Sequence, residues 1–318
     1  MENISVYLNH YASNSTHNWQ EQLSRALFRS QLTYHTPKSL EELNELLELD
    51  VKNKMDAVIA IGGDGTVNTI IQKIHGTGIG LLVLPGGTAN DLAYELDNPR
   101  AIKKITHFIR NHETKEIDLI SVNNHLMATN GGLGIASFVA NRINKLRKHF
   151  PILKKVMKFT GRKIYPLFFL REFLTLRFKR YHLELNCKEF QGQIKTAGLF
   201  INNQSTIGGF FKIAPETKNT DGKFNVCFIT HTHRVKFLQA AWKVARGEFP
   251  FNDPEFVTFE TKEIHIKNLS KTKLQFFGDG EIFETAREWK VKILSKALRV
   301  YSKDASKDMN DLCNEVTL

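Results

Sequence analysis

The stretch Ala57-Val-Ile-Ala-Ile-Gly-Gly-Asp-Gly-Thr-Val-Asn68 joins an apolar run to a helical one through three glycines, one carboxylate and one hydroxyl. Lacking side chains, Gly62, Gly63 and Gly65 let backbone N–H groups approach an anion closely, and a helix opening near Thr66 adds the positive end of its dipole. That is the chemistry of a phosphate-handling turn. A lone turn of this kind could equally be a tight connection between a strand and a helix. Here a second one follows: Leu81-Leu-Val-Leu-Pro-Gly-Gly-Thr-Ala-Asn-Asp-Leu-Ala-Tyr-Glu95 again runs from apolar strand through glycines to an aspartate near a helix start. Two such turns about one βαβ unit apart place both at the carboxyl edge of a parallel sheet, where open α/β sheets bind their ligands.

The pattern around these turns predicts a doubly wound α/β domain. Ile4–Asn9 and Leu32–His35 read as strands, Trp19–Arg29 and Ser39–Leu49 as helices, and Val58–Ile61 and Leu81–Leu84 as buried parallel strands. Ser39-Leu-Glu-Glu42 has a capping-box pattern. After Asp118 the character changes. Leu119–Met127, Tyr181–Asn203, Lys223–Thr230, Val257–Ile266 and Lys290–Tyr301 show strand patterning, a helix is expected over Arg234–Arg246, and the glycine-rich Asn130-Gly-Gly-Leu-Gly134 is expected to open another. The second half is therefore predicted to be mainly antiparallel β. The expected domains are 1–121, with a tail from about 297–318 returning to it, and 122–296; the polar end beyond Ser302 is expected to be partly disordered.

The formal charge of +11 is concentrated: Arg142–Arg180 holds 13 Lys or Arg against one acid, Glu172, a local charge of +12. Large aromatics sit among these charges, including Phe150, Phe159, Tyr165, Phe168, Phe169 and Phe173. A solvated helix face accounts for a run of charge alone; the interleaved aromatics favour a surface that docks on anionic lipid. Nucleic acid ranks lower as a partner, because no nucleic-acid-binding motif accompanies the block. Cys187, Cys227 and Cys313 lie far apart without metal-ligand spacing, which fits packing residues in a reducing compartment. With no basic n-region followed by a long apolar core, the N-terminus reads as a first strand, and the chain is expected to be cytoplasmic and peripherally membrane-associated.

Together with Phe277-Gly-Asp-Gly-Glu281, the two glycine turns make the chain resemble the diacylglycerol kinase catalytic family of lipid kinases, particularly its bacterial cytosolic members. The resemblance implies an N-terminal α/β domain of the phosphofructokinase and NAD-kinase type, a C-terminal β-sandwich, and ATP between them. It implies that Gly62, Gly63, Gly65 and Thr66 cradle the ATP phosphates, with Asn68 following in the motif, and that Asp64 helps hold catalytic Mg²⁺ or orients the nucleotide. Gly87, Thr88, Asn90 and Asp91 would close the same pocket, helix capping being the ordinary role of Thr88 or Asn90. By the same resemblance Asp279 takes the proton from an acceptor alcohol, with Glu281 on the nucleotide side. Read alone, Asp279-Gly280 is a hairpin turn. Ala214-Pro-Glu-Thr-Lys-Asn-Thr-Asp-Gly-Lys-Phe224 looks like the family's metal loop: carbonyls of Lys218 and Lys223 and the Asp221 side chain would bind a structural Mg²⁺, with Asp118 linked to it through water. Hard cations prefer such oxygen sets, although sequence alone favours a solvated turn. The first turn departs from the family, which opens with an Asn-Pro-x-Ser-Gly-like sequence. Here Asn9-His-Tyr-Ala-Ser13-Asn14 lacks the proline and glycine, leaving Asn9 and Thr36 as the candidate ATP contacts at this corner. Glu216 stands where the metal loop usually has aspartate.

These readings give an ATP- and Mg²⁺-dependent kinase of a lipid hydroxyl, diacylglycerol being the first acceptor. Sphingoid bases and phosphatidylglycerol are the other lipid acceptors. The competing functions are an NAD kinase, which shares the Gly-Gly-Asp-Gly turn, and a catalytically silent lipid-binding regulator. A homodimer stays open.

Overall fold

The computed structural model describes residues 2–9, 18–87, 90–98, 102–135, 179–207, 211–230 and 253–302, with positions 137, 235, 236, 239, 240, 243 and 248. The expectations for Ser13, Asn14, Thr88, the basic block up to residue 178 and the tail beyond Ser302 lie outside these residues, as does most of the helix expected over 234–246. The chain divides into two compact units, Met1–Ile117 with Ala297–Leu318, and Asp118–Lys296.

The first unit runs β1 (Asn3–Leu8), α1 (Trp19–Ala26), β2 (Gln31–His35), α2 (Leu40–Lys52), β3 (Ala57–Gly62), α3 (Asp64–Ile74), β4 (Gly80–Pro85), α4 (Asp91–Glu95) and α5 (Ile102–Arg110). Its strands are parallel in the order β2-β1-β3-β4, and Val300, near the end of the chain's last strand, pairs with Leu81 of β4. Every residue of β3 and β4 is buried, as strands covered by helices on both faces must be. Ile4 and Val6 of β1 pack with Leu23 of α1 and with Ile105, Phe108 and Ile109 of α5. Successive side chains of a strand alternate faces, so Ser5 and Tyr7 meet α2 instead. There the buried Asp50 carboxylate accepts from Ser5 Oγ at 2.7 Å and Tyr7 Oη at 2.6 Å. Burial first, then the Asp50 bond, push the Tyr7 phenol far above its usual range. Removing either partner of such a buried pair strands the other, which costs about 1–3 kcal/mol.

Local sequence signals set the helix ends. Ser39 caps α2, its Oγ accepting from Glu42 N at 3.1 Å. Glu42 does not complete a reciprocal box; its carboxylate takes the N–H of Lys38 at 2.7 Å instead. Helix α3 begins at Asp64, two residues before the expected start at Thr66, because Gly63 already holds the extended cap position.

In the second unit the strands are β5 (Thr114–Val122, entering from the first), β6 (His125–Met127), β7 (Asn130–Gly134), β8 (Tyr181–Asn186), β9 (Gln191–Thr196), β10 (Gly198–Asn202), β11 (Thr206–Ile207), β12 (Phe211–Lys212), β13 (Phe224–Ile229), β14 (Phe256–Thr261), β15 (Glu263–Asn268), β16 (Leu274–Gly278), β17 (Glu281–Ala286) and β18 (Glu288–Tyr301, whose end lies in the first unit). One layer is the antiparallel sheet β14-β13-β10-β7-β16-β17, and facing it are β18, β15, β8 and β9. The layers share one apolar core, with Leu199, Phe224, Phe228 and Phe276 from the first and Leu183, Ile266, Trp289 and Val291 from the second. Such shared inner faces make a β-sandwich. Cys187 and Cys227 are buried packing residues, and burial pushes the Cys227 thiol up to about 12.

The expectation for Asn130–Gly134 needs correction. The run does not form the turn that opens a helix; it is β7, an inner strand of the six-stranded sheet, and helical conformation starts only at Ile135. Its glycines serve close strand approach: at Gly132, with φ +147°, a Cβ would fall 2.0 Å from the carbonyl oxygen of Leu199 in β10. Glycine in a sequence reads as a turn signal, and nothing local distinguishes a strand whose neighbours leave no room for side chains. Gly132→Ala should therefore lower the unfolding free energy by more than about 2 kcal/mol, read as a fall in the urea midpoint. An unchanged midpoint would contradict this packing.

Among the described residues no helix is long and apolar enough to cross a membrane.

Candidate active site

The strand order of the first unit reverses direction between β1 and β3, the topological switch point at whose carboxyl edge open sheets bind ligands. Asn9 follows β1 and Gly62-Gly63 end β3 at that edge. Asn9 Nδ2 donates to Thr66 Oγ1 at 2.9 Å, and Asn9 N to Ile61 O at 3.0 Å. The first turn of α3 lies immediately beyond, where a helix leaves N–H groups without intrahelical acceptors.

The two glycine turns form a single structure. Gly86 N donates to Gly62 O at 3.1 Å, and a Cβ on Gly87 would fall 2.5 Å from Gly63 Cα. Asn90 closes the second turn from within, its Oδ1 accepting from Gly87 N at 2.7 Å and its Nδ2 donating to Gly87 O at 2.8 Å. It does so from the left-handed region, φ +52°, which asparagine tolerates better than most residues. Asp64 then joins the turns: Oδ2 accepts from Asn90 N at 3.1 Å and Oδ1 from Asp91 N at 3.0 Å. Thus Gly62, Gly63, Asp64, Gly65, Thr66, Gly87, Asn90 and Asp91 are brought together, and Asn68 lies one residue past Val67 on α3. Thr36 stands exposed after β2, with no hydrogen bond to these turns among the described residues. Gly86 was not among the residues singled out by sequence; its place between two recognised features was the available signal.

The acids of the second unit form two clusters. Asp279 and Gly280 connect β16 to β17 with φ +51° and +79°, the doubly left-handed geometry of a two-residue type I′ hairpin. The hairpin that Asp279-Gly280 signals when read alone is therefore present. The Asp279 side chain is buried under the backbone after β6: Oδ2 accepts from Ala128 N at 3.0 Å, and Oδ1 from Thr129 N at 2.8 Å and Thr129 Oγ1 at 2.6 Å. Asn203 supports that segment, its Nδ2 donating to the carbonyls of Ala128 and Asp118, both at 2.8 Å. Sequence reading missed Ala128, Thr129 and Asn203, because none carries a motif and all act through backbone geometry. Glu281 opens β17 and is exposed.

Asp118 anchors the second cluster. It is buried, with Oδ1 accepting from Lys296 N at 2.8 Å, Oδ2 from Gly222 N at 2.7 Å, and its own N–H donating to Asn219 O at 2.7 Å. Along the loop it holds, Lys218, Asp221 and Lys223 are exposed, and one Asp221 oxygen accepts from Lys223 N at 3.1 Å. Asp221 Oδ2 makes no hydrogen bond with any described residue. Backbone carbonyls beside a carboxylate with an oxygen to spare are a donor set that suits a hard divalent cation. No cluster of three His, Cys, Asp or Glu side chains suitable for a metal occurs among the described residues, so a cation in this loop would depend mainly on carbonyl oxygens.

A glycine-turn α/β unit followed in the chain by an antiparallel sandwich defines a class of phosphate-transferring proteins, and the comparisons with known proteins place this chain within it. Residues 6–122 match the diacylglycerol kinase catalytic domain, and residues 134–302 match the YegS C-terminal NAD kinase beta sandwich-like domain. A diacylglycerol kinase of Bacillus subtilis strain 168 is 30% identical over 231 residues, 72% of each chain. One of Mycobacterium tuberculosis strain CDC 1551 is 30% identical over 249 residues, 76% of this chain and 75% of its own. The crystal structure of a diacylglycerol kinase from Bacillus anthracis strain Sterne shares the fold, with a TM-score of 0.69 at 15% identity over 96% of this chain and 97% of that one. The protein belongs to the diacylglycerol kinase catalytic-domain family.

Because the Gly63 and Gly87 backbones touch, Gly87→Ala should separate the two turns and weaken ATP binding at least tenfold by titration calorimetry, while far-ultraviolet circular dichroism stays that of the native chain. Native affinity in this variant would show that the turns do not act together.

Proposed function

We propose that the protein is an ATP-dependent lipid kinase that moves the γ-phosphate onto a lipid hydroxyl, with diacylglycerol as acceptor and phosphatidic acid as product. The observation that carries this reading is the Asp279 carboxylate, buried and held by three donors at a hairpin tip, in a chain of a family whose relatives at 30% identity are named diacylglycerol kinases.

Phosphoryl transfer asks a protein mostly to position reactants and offset charge. N–H groups of Gly62, Gly63, Gly65 and Thr66 cradle the triphosphate, and Asp64 keeps the turn of Gly87, Asn90 and Asp91 against them. Asn9, Asn68, Thr36, Thr88 and Glu281 complete the nucleotide contacts. Asp64 and Asp91 are the carboxylates that would hold a catalytic Mg²⁺, which when bound would supply positive charge to offset the phosphate oxygens. Asp279 accepts the proton of the acceptor hydroxyl, a task for a carboxylate within hydrogen-bond reach. In the 218–223 loop the carbonyls of Lys218 and Lys223 and the Asp221 carboxylate would hold a second Mg²⁺, which would stiffen the loop whose Gly222 N–H is bonded to Asp118. The basic, aromatic block over 142–180 draws the chain to an anionic membrane surface, which makes it a cytoplasmic, peripherally bound enzyme with no nucleic-acid partner.

With Mg-ATP and vesicles containing diacylglycerol, the full chain should label phosphatidic acid, and a parallel lipid panel should show weaker labelling of sphingoid bases and phosphatidylglycerol. Asp279→Asn should lower kcat about 10²–10⁴-fold with the KM for ATP nearly unchanged. Full activity in that variant removes Asp279 from the proton transfer, and label appearing on NAD instead of lipid overturns the lipid reading.

A further inference from the structure

The helices of the first unit carry opposite charge on the two sides of its sheet. Helices α1 and α5 cover the side with Ile4 and Val6. Their solvent face, with the residues that follow α1, exposes Arg25, Phe28, Arg29, Lys103, Lys104 and Arg110. Glu21, the acid on this face, is already paired with Arg25. Arg29, Lys103, Lys104 and Arg110 have no carboxylate partner among the described residues. Helix α2, on the other side, exposes Glu41, Glu42, Glu45 and Glu48, the last paired with Lys73 of α3 at 2.7 Å, with Lys52 in its last turn. In the middle of the basic face Phe28 is 65% exposed, and the guanidinium carbons of Arg29 and Arg110 lie 5.5 and 5.7 Å from its ring centre.

We infer that the α1/α5 face of the first unit is a docking surface for an anionic lipid bilayer, with Phe28 entering the headgroup region and Arg29, Lys103, Lys104 and Arg110 lying over the lipid phosphates. Charge complementarity selects the partner. An anionic plane attracts this face and repels the α2 face, so the charge asymmetry orients the unit as well as binding it. An exposed aromatic ring among arginines suits a bilayer surface, where the ring enters the interface and the guanidinium groups meet phosphates. The proposal uses residues 28–29 and 103–110 and none of the 142–180 block. Lipid as the partner rests on the proposed lipid-kinase function, but the binding itself does not depend on turnover.

The test uses the full chain and sedimentation with vesicles of phosphatidylcholine alone or with one third phosphatidylglycerol. Each basic side chain near an anionic surface strengthens binding by about fivefold, so the triple variant Arg29→Gln, Lys103→Gln, Lys104→Gln should lose about a hundredfold in partitioning onto the anionic vesicles. Phe28→Ser should lose about tenfold, and the control Glu45→Gln, Glu48→Gln should lose nothing. These positions are exposed, so the melting temperature should not move, and phosphorylation of a short-chain, monomerically dispersed acceptor should match that of the unaltered chain. Anionic-vesicle binding by the triple variant equal to that of the unaltered chain overturns the proposal. Absence of kinase activity in the unaltered chain, with the vesicle differences intact, overturns the enzymatic reading and leaves the docking face standing.

Discussion

The Asp64 carboxylate, accepting one backbone N–H from Asn90 and another from Asp91, is the contact on which the paired glycine turns of the first unit depend. Glycine turns are flexible, and flexible backbone gives up conformational entropy when it grips a ligand. An aspartate in the first turn of α3, oriented by the favourable end of that helix, fixes the second turn at the cost of neither a disulfide nor a large apolar contact. The bare backbones of Gly63 and Gly87 then come together without side chains to separate them. The two turns are thereby held in one fixed arrangement by the protein's own bonds.

Asp279 solves a related problem with different means. A carboxylate at a hairpin tip would ordinarily sample solvent; here it is turned under the chain at Ala128 and Thr129, and Asn203 braces that segment from Asp118. The Asn203 amide thereby ties together the segment between β6 and β7 that carries the Asp279 donors and the residue that anchors the 218–223 loop. Both acid clusters of the second unit share one buried support, so a disturbance of either reaches the other through a single side chain.

Much of this was legible in the sequence where a local signal had a unique structural meaning. Ser39 before an amphipathic run announced the start of α2, the apolar runs at 58–61 and 81–84 announced buried parallel strands, and the glycine turns announced their own place at the sheet edge. The fold class, an α/β domain followed by an antiparallel β-sandwich, followed from the same patterns and from the family resemblance. What stayed hidden was tertiary. Gly131, Gly132 and Gly134 form a strand only because neighbouring carbonyl oxygens fill the space their side chains would need. Asp64 could be recognised as functional, yet its bonds to a turn 26 residues away could not. Thr129 and Asn203 carry no motif, since a hydroxyl or an amide is diagnostic only once its partner is known. The capping box was half right for a similar reason: Glu42 found a nearer N–H at Lys38 than the one the motif assigns to it.

The final strand returns to the first unit, with Val300 beside Leu81, Ser302 bonded to Glu113 and Leu96, and Tyr301 buried against Gly80. A ribosome releases the chain from its N-terminus, so β4 emerges some two hundred residues before the segment that covers its outer edge. Throughout that interval a fully apolar strand offers an unsatisfied ladder to any neighbour. Until residues 297–302 are made, the edge of β4 therefore lacks the segment that covers it in the folded first unit.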